Sequence, residues 1–371
     1  MSRKYLDPST LNDGGLEVNS VTVLLDGQAP SGAFIVSPNF ASYRYSWLRD
    51  SAYCANAMDL VGNTTSASKF HRWVEVTLTR EIPTAEFLIS RLNKGAILDM
   101  NEMLPTRYTL DDALETSGEV ENVSWPNYQL DGYGVWLDEL RRHHQGLGTQ
   151  DFNSEVVDLV ARYLIATWET DCYDCWQEFG DGQHASTIAA VAAGLESAGL
   201  LLNDDKYLCE AEKVRDSLFK KFIRNGRFCK GLTDDRVDSS LLWLAVPFRV
   251  VELDDPAFVN TVEEIRANLR GSTGEIYRYL GDSYFGGGEW CLLTNWLGWY
   301  DRLTNNTTEF EHSRKWVTEQ ASQDLELPEQ STSGTQEPTM IDPWVRRWGK
   351  VATPLLWSHA MYLITSEGDH R

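Results

Sequence analysis

Glu178 and Glu329 are the two residues that frame the chemistry open to this chain of 371 residues. Hydrolysis of a glycosidic bond needs one protonated carboxyl beside the leaving oxygen. It also needs one ionised carboxylate to activate water or to attack. Glu178 lies in DCYDCWQEFGDGQH (171–184), between Trp176 and Phe179. Burial against aromatic rings disfavours a charge and raises a carboxyl pKa. Glu329 lies in LPEQ (327–330), within a polar Ser/Thr/Gln stretch, and is expected to stay ionised. The two environments differ in the direction the chemistry needs. Between Trp176 and Glu178 stands Gln177, whose amide has no ionisable proton to give.

Three further clusters place an aromatic beside a charged or amide residue. In YRYSWLRDSAY (43–53), Tyr43 and Trp47 precede Arg49 and Asp50. A planar donor fork beside an acceptor suits adjacent sugar hydroxyls; a structural ion pair or a helix N-terminus explains the same pair equally well. In SWPNYQLDGYG (124–134), Trp125 precedes Gln129 and Asp131, and Asp131 also reads as a plain helix cap. In EIYRYLGDSYFGGGEW (275–290), Arg278 is followed by Tyr284 and Phe285; the bland alternative is a turn with Arg278 on an exposed face.

Composition narrows the ligand. The net charge of −22 argues against nucleic acid, which needs a basic footprint, and against anionic membranes. A neutral, small oligosaccharide is compatible with that field. Fourteen Trp and fifteen Tyr serve mostly as core, and some suit a wall for a flat, hydroxyl-rich ligand. Cys172 and Cys175 form a C-x-x-C, but no second pair or nearby His pair completes a zinc site. The expectation is no metal and no cofactor, with free thiols. The N-terminal MSRKYLDPSTLNDGG has no apolar core of a secretion signal, so a cytoplasmic location is expected. No obligate protein partner is evident.

Helical periodicity supplies the elements that must position these residues. Helices are expected over 47–61, 66–92, 131–144, 153–169, 185–202, 205–223, 239–248, 255–269, 288–303, 308–322 and 353–367. Strand patterns are confined to 16–25 and 32–38, which predict a short N-terminal β-hairpin within an extension of 1–38. No βαβ alternation occurs, so a parallel sheet is not expected. Many helices of similar length without a linker suit one closed ring of helical hairpins over 1–371. The segment 323–345, rich in Pro, Ser, Thr and Gly, reads as a long loop.

Taken in order, the clusters resemble glycoside hydrolase family 15. The resemblance rests on Y-x-x-x-W-x-R-D at Tyr43 to Asp50, W-x-x-x-Q-x-D-G at Trp125 to Gly132 and Y-D-x-W-x-E at Tyr173 to Glu178. It continues with R-Y-x-x-D-x-Y at Arg278 to Tyr284, E-Q at Glu329–Gln330 and T-x-x-x-W-S at Thr353 to Ser358. It implies an all-α, six-hairpin (α/α)6 barrel and an inverting exo-acting α-glucosidase that releases β-glucose. By this resemblance Arg49, Asp50 and Arg278 hold the terminal glucose, Trp125 and Trp176 wall it, Tyr43 lies near the attacking water, Trp47, Asp131, Tyr284 and Phe285 complete the expected substrate contacts, and Glu329 is the general base. The family usually has glutamate directly after the motif tryptophan, as general acid, where this chain has Gln177. Either a local shift lets Glu178 act, or Gln177 stands as a shape-preserving substitution of the acid; the surroundings, built for catalysis, favour the second. The aromatic pair Tyr284–Phe285 departs from the Tyr-Tyr of glucoamylases. Together with the missing accessory domains, this points to isomaltose or isomalto-oligosaccharides as substrate. The alternatives are α-1,4 glucoamylase-like activity, trehalase activity, and a barrel that binds glucan without hydrolysing it.

Overall fold

The computed structural model describes residues 15–111, 119–120, 123–124 and 127–367. Two concentric layers of helices build the molecule. The inner layer runs through α2 (Leu48–Leu60), α4 (Asp131–Leu147), α6 (Ala185–Leu202), a 3₁₀ segment (Ser239–Leu244), α9 (Cys291–Leu303) and α12 (Leu356–Glu367). Each packs on the next, and α12 returns to α2, so the ring closes. The outer layer is α3 (Thr64–Asn93), α5 (Ser154–Thr167), α7 (Asp205–Lys221), α8 (Pro256–Asn268), α10 (Thr307–Glu319) and α1 (Gly15–Asp26), each lying against an inner element.

Sequence decides which layer a helix joins. α2 is buried at every position from Leu48 to Asp59, and α6 is apolar or small nearly all round. A helix without a polar face must be enclosed. α6 is long and apolar enough for a membrane span by composition, but 78% of it is buried within the fold. α7 buries only Tyr207, Ala211, Val214, Ser217 and Leu218, one stripe at helical spacing. α4 and α6 meet backbone to backbone. A Cβ on Gly134 would lie 2.2 Å from the Ala190 carbonyl oxygen, and one on Gly194 would lie 2.6 Å from the Gly134 Cα. Asn153, Asp204 and Asp255 cap α5, α7 and α8 by accepting from backbone N–H groups of the first turn, which satisfies donors that a helix start leaves free.

Strands are minor. β1 (Ser46–Trp47) pairs with β2 (Arg107–Tyr108), β3 (Glu119–Val120) with β4 (Val123–Ser124), and β5 (Ile223–Arg224) with β6 (Arg227–Phe228). Asn225 and Gly226 join β5 to β6 with φ of 52° and 77°, as a two-residue hairpin turn requires.

The barrel matches expectation; the N-terminal hairpin does not. Residues 16–25 are the helix α1, because Leu16, Ser20 and Leu24 recur every fourth residue and bury one face against α12. Ser20 meets Nδ1 of the buried His359 there, at 2.8 Å. Of the expected second strand, Phe34 keeps a single bridge to Gln28, and Val36 and Ser37 donate to the carbonyls of Tyr45 and Tyr43. The helix expected over 239–248 is the short 3₁₀ segment. The expected loop 323–345 contains the start of α11 (Ile341–Trp348).

Candidate active site

The loops that enter the inner helices at their N-terminal ends converge on one cavity of about 260 Å³. Tyr43, Trp47, Arg49, Asp50, Trp176, Gln177, Glu178, Arg278, Tyr284 and Glu329 all line it. Tyr43 and Glu329 are 286 positions apart in sequence, so only the closed ring brings the set together.

Glu329 is gripped from two sides. Its N–H donates to the Ala352 carbonyl (2.9 Å), and Ser331 N–H donates to the Glu289 carbonyl (2.7 Å). The Tyr43 hydroxyl donates to Glu329 Oε1 at 2.9 Å and lies 3.0 Å from the Tyr284 hydroxyl. Oε2 is buried and makes no hydrogen bond to a described residue. The expectation of a solvated, ordinary carboxylate fails, because the polar loop folds inward. Burial pushes the Glu329 carboxyl up to about 7, against the lowering effects of Tyr43, Arg278 and Tyr284.

The stretch 174–179 is a tight turn wound on Asp174. Its Oδ1 accepts from the N–H groups of Trp176 (3.0 Å) and Glu178 (2.9 Å). Gln177 and Phe179 take φ of 64° and 51°, left-handed backbone that costs a non-glycine residue of order 1–3 kcal/mol. A buried ion cluster fixes the turn from behind. Lys230 Nζ sits 2.8 Å from Asp174 and 2.6 Å from Asp238, and Trp176 Nε1 donates to both oxygens of Asp238 at 3.1 Å.

Glu178 does not stand free between aromatic rings. It is half-buried, it accepts from the Tyr279 hydroxyl, and Oε1 lies 3.3 Å from Arg278 Nη2. Arg278 is buried rather than exposed. Asp282 holds it through two bonds of 2.7 Å, and the rings of Trp176, Tyr284 and Trp290 lie within 5.6 Å of its guanidinium carbon. Arg49 lies over Trp357 at 5.3 Å, pairs through Nε with Asp50 at 3.3 Å, and through Nη1 with Asp131 at 3.0 Å. Burial raises the Asp50 carboxyl to about 6, opposed by Arg49 and reinforced by Asp131.

Two expected ligand contacts move back one layer. Asp131 is wholly buried behind Arg49 and holds that guanidinium. Phe285 is wholly buried and supports Tyr284, with ring centres 4.9 Å apart. Trp125 lies outside the described residues. Sequence reading missed Trp344, Arg347 and Trp348 of α11, which line the mouth, because no periodicity is legible in eight residues within a Pro- and Ser-rich stretch. It also assigned no role to Lys230, Asp238, Tyr279 and Asp282; the last two stand in the quoted motif around Arg278. Among the described residues no group of His, Cys, Asp and Glu is arranged to hold a metal ion.

Chemically, the cavity offers hydrogen-bonding arginines and aromatic walls to a polyhydroxylated ring, and a buried carboxyl with a tyrosine partner to a water. The model of glycosyl hydrolases family 15 matches residues 16–340. The isomaltose glucohydrolase of Kribbella flavida is 34% identical over 358 residues, spanning 94% of this chain and 91% of that protein. A solved wild-type glycosidase superposes with a TM-score of 0.88 at 33% identity, covering 95% of both chains. A bacterial glucoamylase complexed with acarbose shares the fold at 21% identity, with a TM-score of 0.73, over 97% of this chain and 56% of its own. The barrel, the convergent cavity and these likenesses agree: the chain is a glycoside hydrolase and belongs to glycosyl hydrolases family 15.

Proposed function

We propose that the chain is an inverting, exo-acting α-glucosidase that releases β-glucose from the non-reducing end of isomaltose or isomalto-oligosaccharides. The observation that carries this reading is the pairing of Tyr43 with Glu329 in a cavity whose buried end holds Arg49, Asp50 and Arg278. Buried arginine–carboxylate pairs present fixed donors and acceptors to neighbouring hydroxyls, so the terminal glucose occupies that end. Glu329 takes a proton from a water held beside Tyr43, and the water attacks the anomeric carbon from the face opposite the leaving group. The bond to the glycosidic oxygen breaks as that oxygen takes a proton from the acid position of the Trp176 turn, a glutamate in the Gln177→Glu form. Burial strengthens these electrostatic contacts and excludes stray water. The α-1,6 preference is supported by the name of the Kribbella flavida relative. Trehalase 2 of Sulfolobus acidocaldarius, 22% identical over 80% of this chain, keeps trehalose as a second candidate.

The test compares isomaltose, maltose and trehalose with the purified chain and its Gln177→Glu variant, following glucose by assay and its anomer by NMR. The expected result is initial β-glucose, with isomaltose giving the highest kcat/KM. Initial α-glucose excludes inversion, and a preference for maltose or trehalose reassigns the linkage.

A further inference from the structure

We propose that the chain, as sequenced, hydrolyses α-glucosyl phosphates: glucosides whose leaving group, in the monoanion, carries its own acidic proton and departs as hydrogen phosphate without a proton from the protein. The inference rests on the α-glucosidase reading and extends it to a second substrate class.

The first ground is an inventory of the carboxyls that line the cavity. They are Asp50, Glu178 and Glu329. Asp50 is paired with Arg49. Glu178 is engaged on one oxygen by Arg278 and on the other by Tyr279. Only Glu329 has no arginine within ion-pair distance among the described residues, and it faces Tyr43 as a base. Cleavage of an ordinary glycoside needs a second, free carboxyl to protonate the departing alkoxide. The remaining polar residue of the Trp176 turn, Gln177, is an amide that donates a hydrogen bond but gives up no proton. Its left-handed backbone, held by Asp174, fixes that amide at the cavity wall.

The second ground is where the free cation lies. Arg49, Asp50, Arg278 and Glu329 are buried, Gln177 and Glu178 are half-buried, and Arg347 is exposed, so burial orders the lining from floor to mouth. An exo-acting pocket seats the terminal glucose at the floor and the leaving group toward the mouth. Arg347 has no carboxylate partner among the described residues; its guanidinium carbon lies 6.0 Å and 5.0 Å from the rings of Trp344 and Trp348. An unpaired guanidinium in a planar aromatic setting is a phosphate ligand by geometry and charge. Arg49 and Arg278 already carry carboxylates, so they offer no such free donor.

The step balances without a further reactant. Water oxygen bonds to the anomeric carbon while Glu329 accepts one water proton. The bond from that carbon to the phosphate oxygen breaks, and its electron pair leaves on the phosphate, which departs as hydrogen phosphate because the reacting monoanion keeps its own P–O–H proton. The products are β-glucose and inorganic phosphate.

The experiment measures glucose release from isomaltose, α-glucosyl fluoride and α-glucose 1-phosphate, and phosphate release from the last. Expected for the chain as sequenced are rates on fluoride and phosphate at least about 10²-fold above isomaltose, the lower bound for one general acid. Gln177→Glu should restore isomaltose turnover by about 10²–10⁴-fold and shift the other two much less. Arg347→Gln should raise KM for the phosphate by about tenfold more than for the fluoride, the worth of one charge-assisted contact. Fluoride hydrolysis without phosphate hydrolysis overturns the proposal. So does isomaltose turnover by the chain as sequenced that matches its Gln177→Glu form, or that Glu178→Gln abolishes. Inactivity of both the parent chain and its Gln177→Glu variant on every α-glucoside overturns the α-glucosidase reading itself.

Discussion

At the residue scale, one hydroxyl and one carboxyl set the working pH. Glu329 acts as a base only when ionised, and burial holds its carboxyl at about 7. The kcat/KM for any substrate should therefore rise through about pH 7 instead of levelling off near the usual glutamate range. Tyr43 lowers that value by donating to Oε1. Tyr43→Phe removes the donor, so the acidic limb should move to higher pH while kcat falls; an unmoved limb would detach Tyr43 from Glu329. The same burial has a stability consequence. A carboxyl whose folded pKa is raised stabilises the fold below the unfolded value, here 4.5, and loses that contribution as pH climbs through about 7. Glu329→Gln should abolish hydrolysis. Relative to the parent, it should gain stability between about pH 4 and pH 8 by up to about 3 kcal/mol. Denaturant titrations at the two pH values check this, and an equal effect at both would refute it.

At the element scale, the turn that carries Trp176, Gln177 and Glu178 hangs on Lys230. Burial alone would lower the Lys230 pKa, but Asp238 and Asp174 raise it on balance, so the ammonium persists between two buried carboxylates. Lys230→Met leaves both unpaired, and removing one member of a buried ionic cluster costs about 3–5 kcal/mol. The expected outcome is a large loss of stability, with weakened substrate binding in whatever fraction folds. Urea unfolding of Lys230→Met beside the triple change with Asp174→Asn and Asp238→Asn separates lost pairing from lost packing. The triple variant should recover part of the stability, because no bare charge remains. Nothing in the chain's local pattern hints at this cluster. Asp174, Lys230 and Asp238 are ordinary surface types, and only the approach of the 3₁₀ segment to the Trp176 turn buries all three.

At the scale of the whole molecule, the ring is closed by α12 meeting α2, and a net charge of −22 spreads over that closed body. Like charges at the surface repel, and salt shortens their reach from about 10 Å at 0.1 M to about 3 Å at 1 M. The melting temperature should rise with added sodium chloride, by about 1–2 °C for each kcal/mol of repulsion removed in a chain of this size. A scan from low to molar salt at fixed pH measures it; a flat or falling curve would show that surface repulsion does not limit stability.

Apart from α1 and the inner 3₁₀ segment, the helices of both layers were legible in the sequence, because apolar spacing over three turns or more is set by the backbone period alone. Tyr43, Arg49, Asp50, Trp176, Arg278 and Glu329 were legible as one set because their motifs carry unusual neighbours at fixed short spacings. The environment of each was not. Glu329 reads as solvated in a polar loop, yet the loop folds under Ala352 and Trp290, and desolvation follows from tertiary packing. Glu178 reads as an isolated acid between rings, yet Arg278 and Tyr279 reach it across about a hundred residues. Residues 16–25 alternate like a strand, yet they bury one face every fourth residue on α12. The amino-acid order alone determines which groups are present and how far apart they lie along the chain. Their charge state, and which carboxyl is free to move a proton, depend on distances that exist only after the ring has closed.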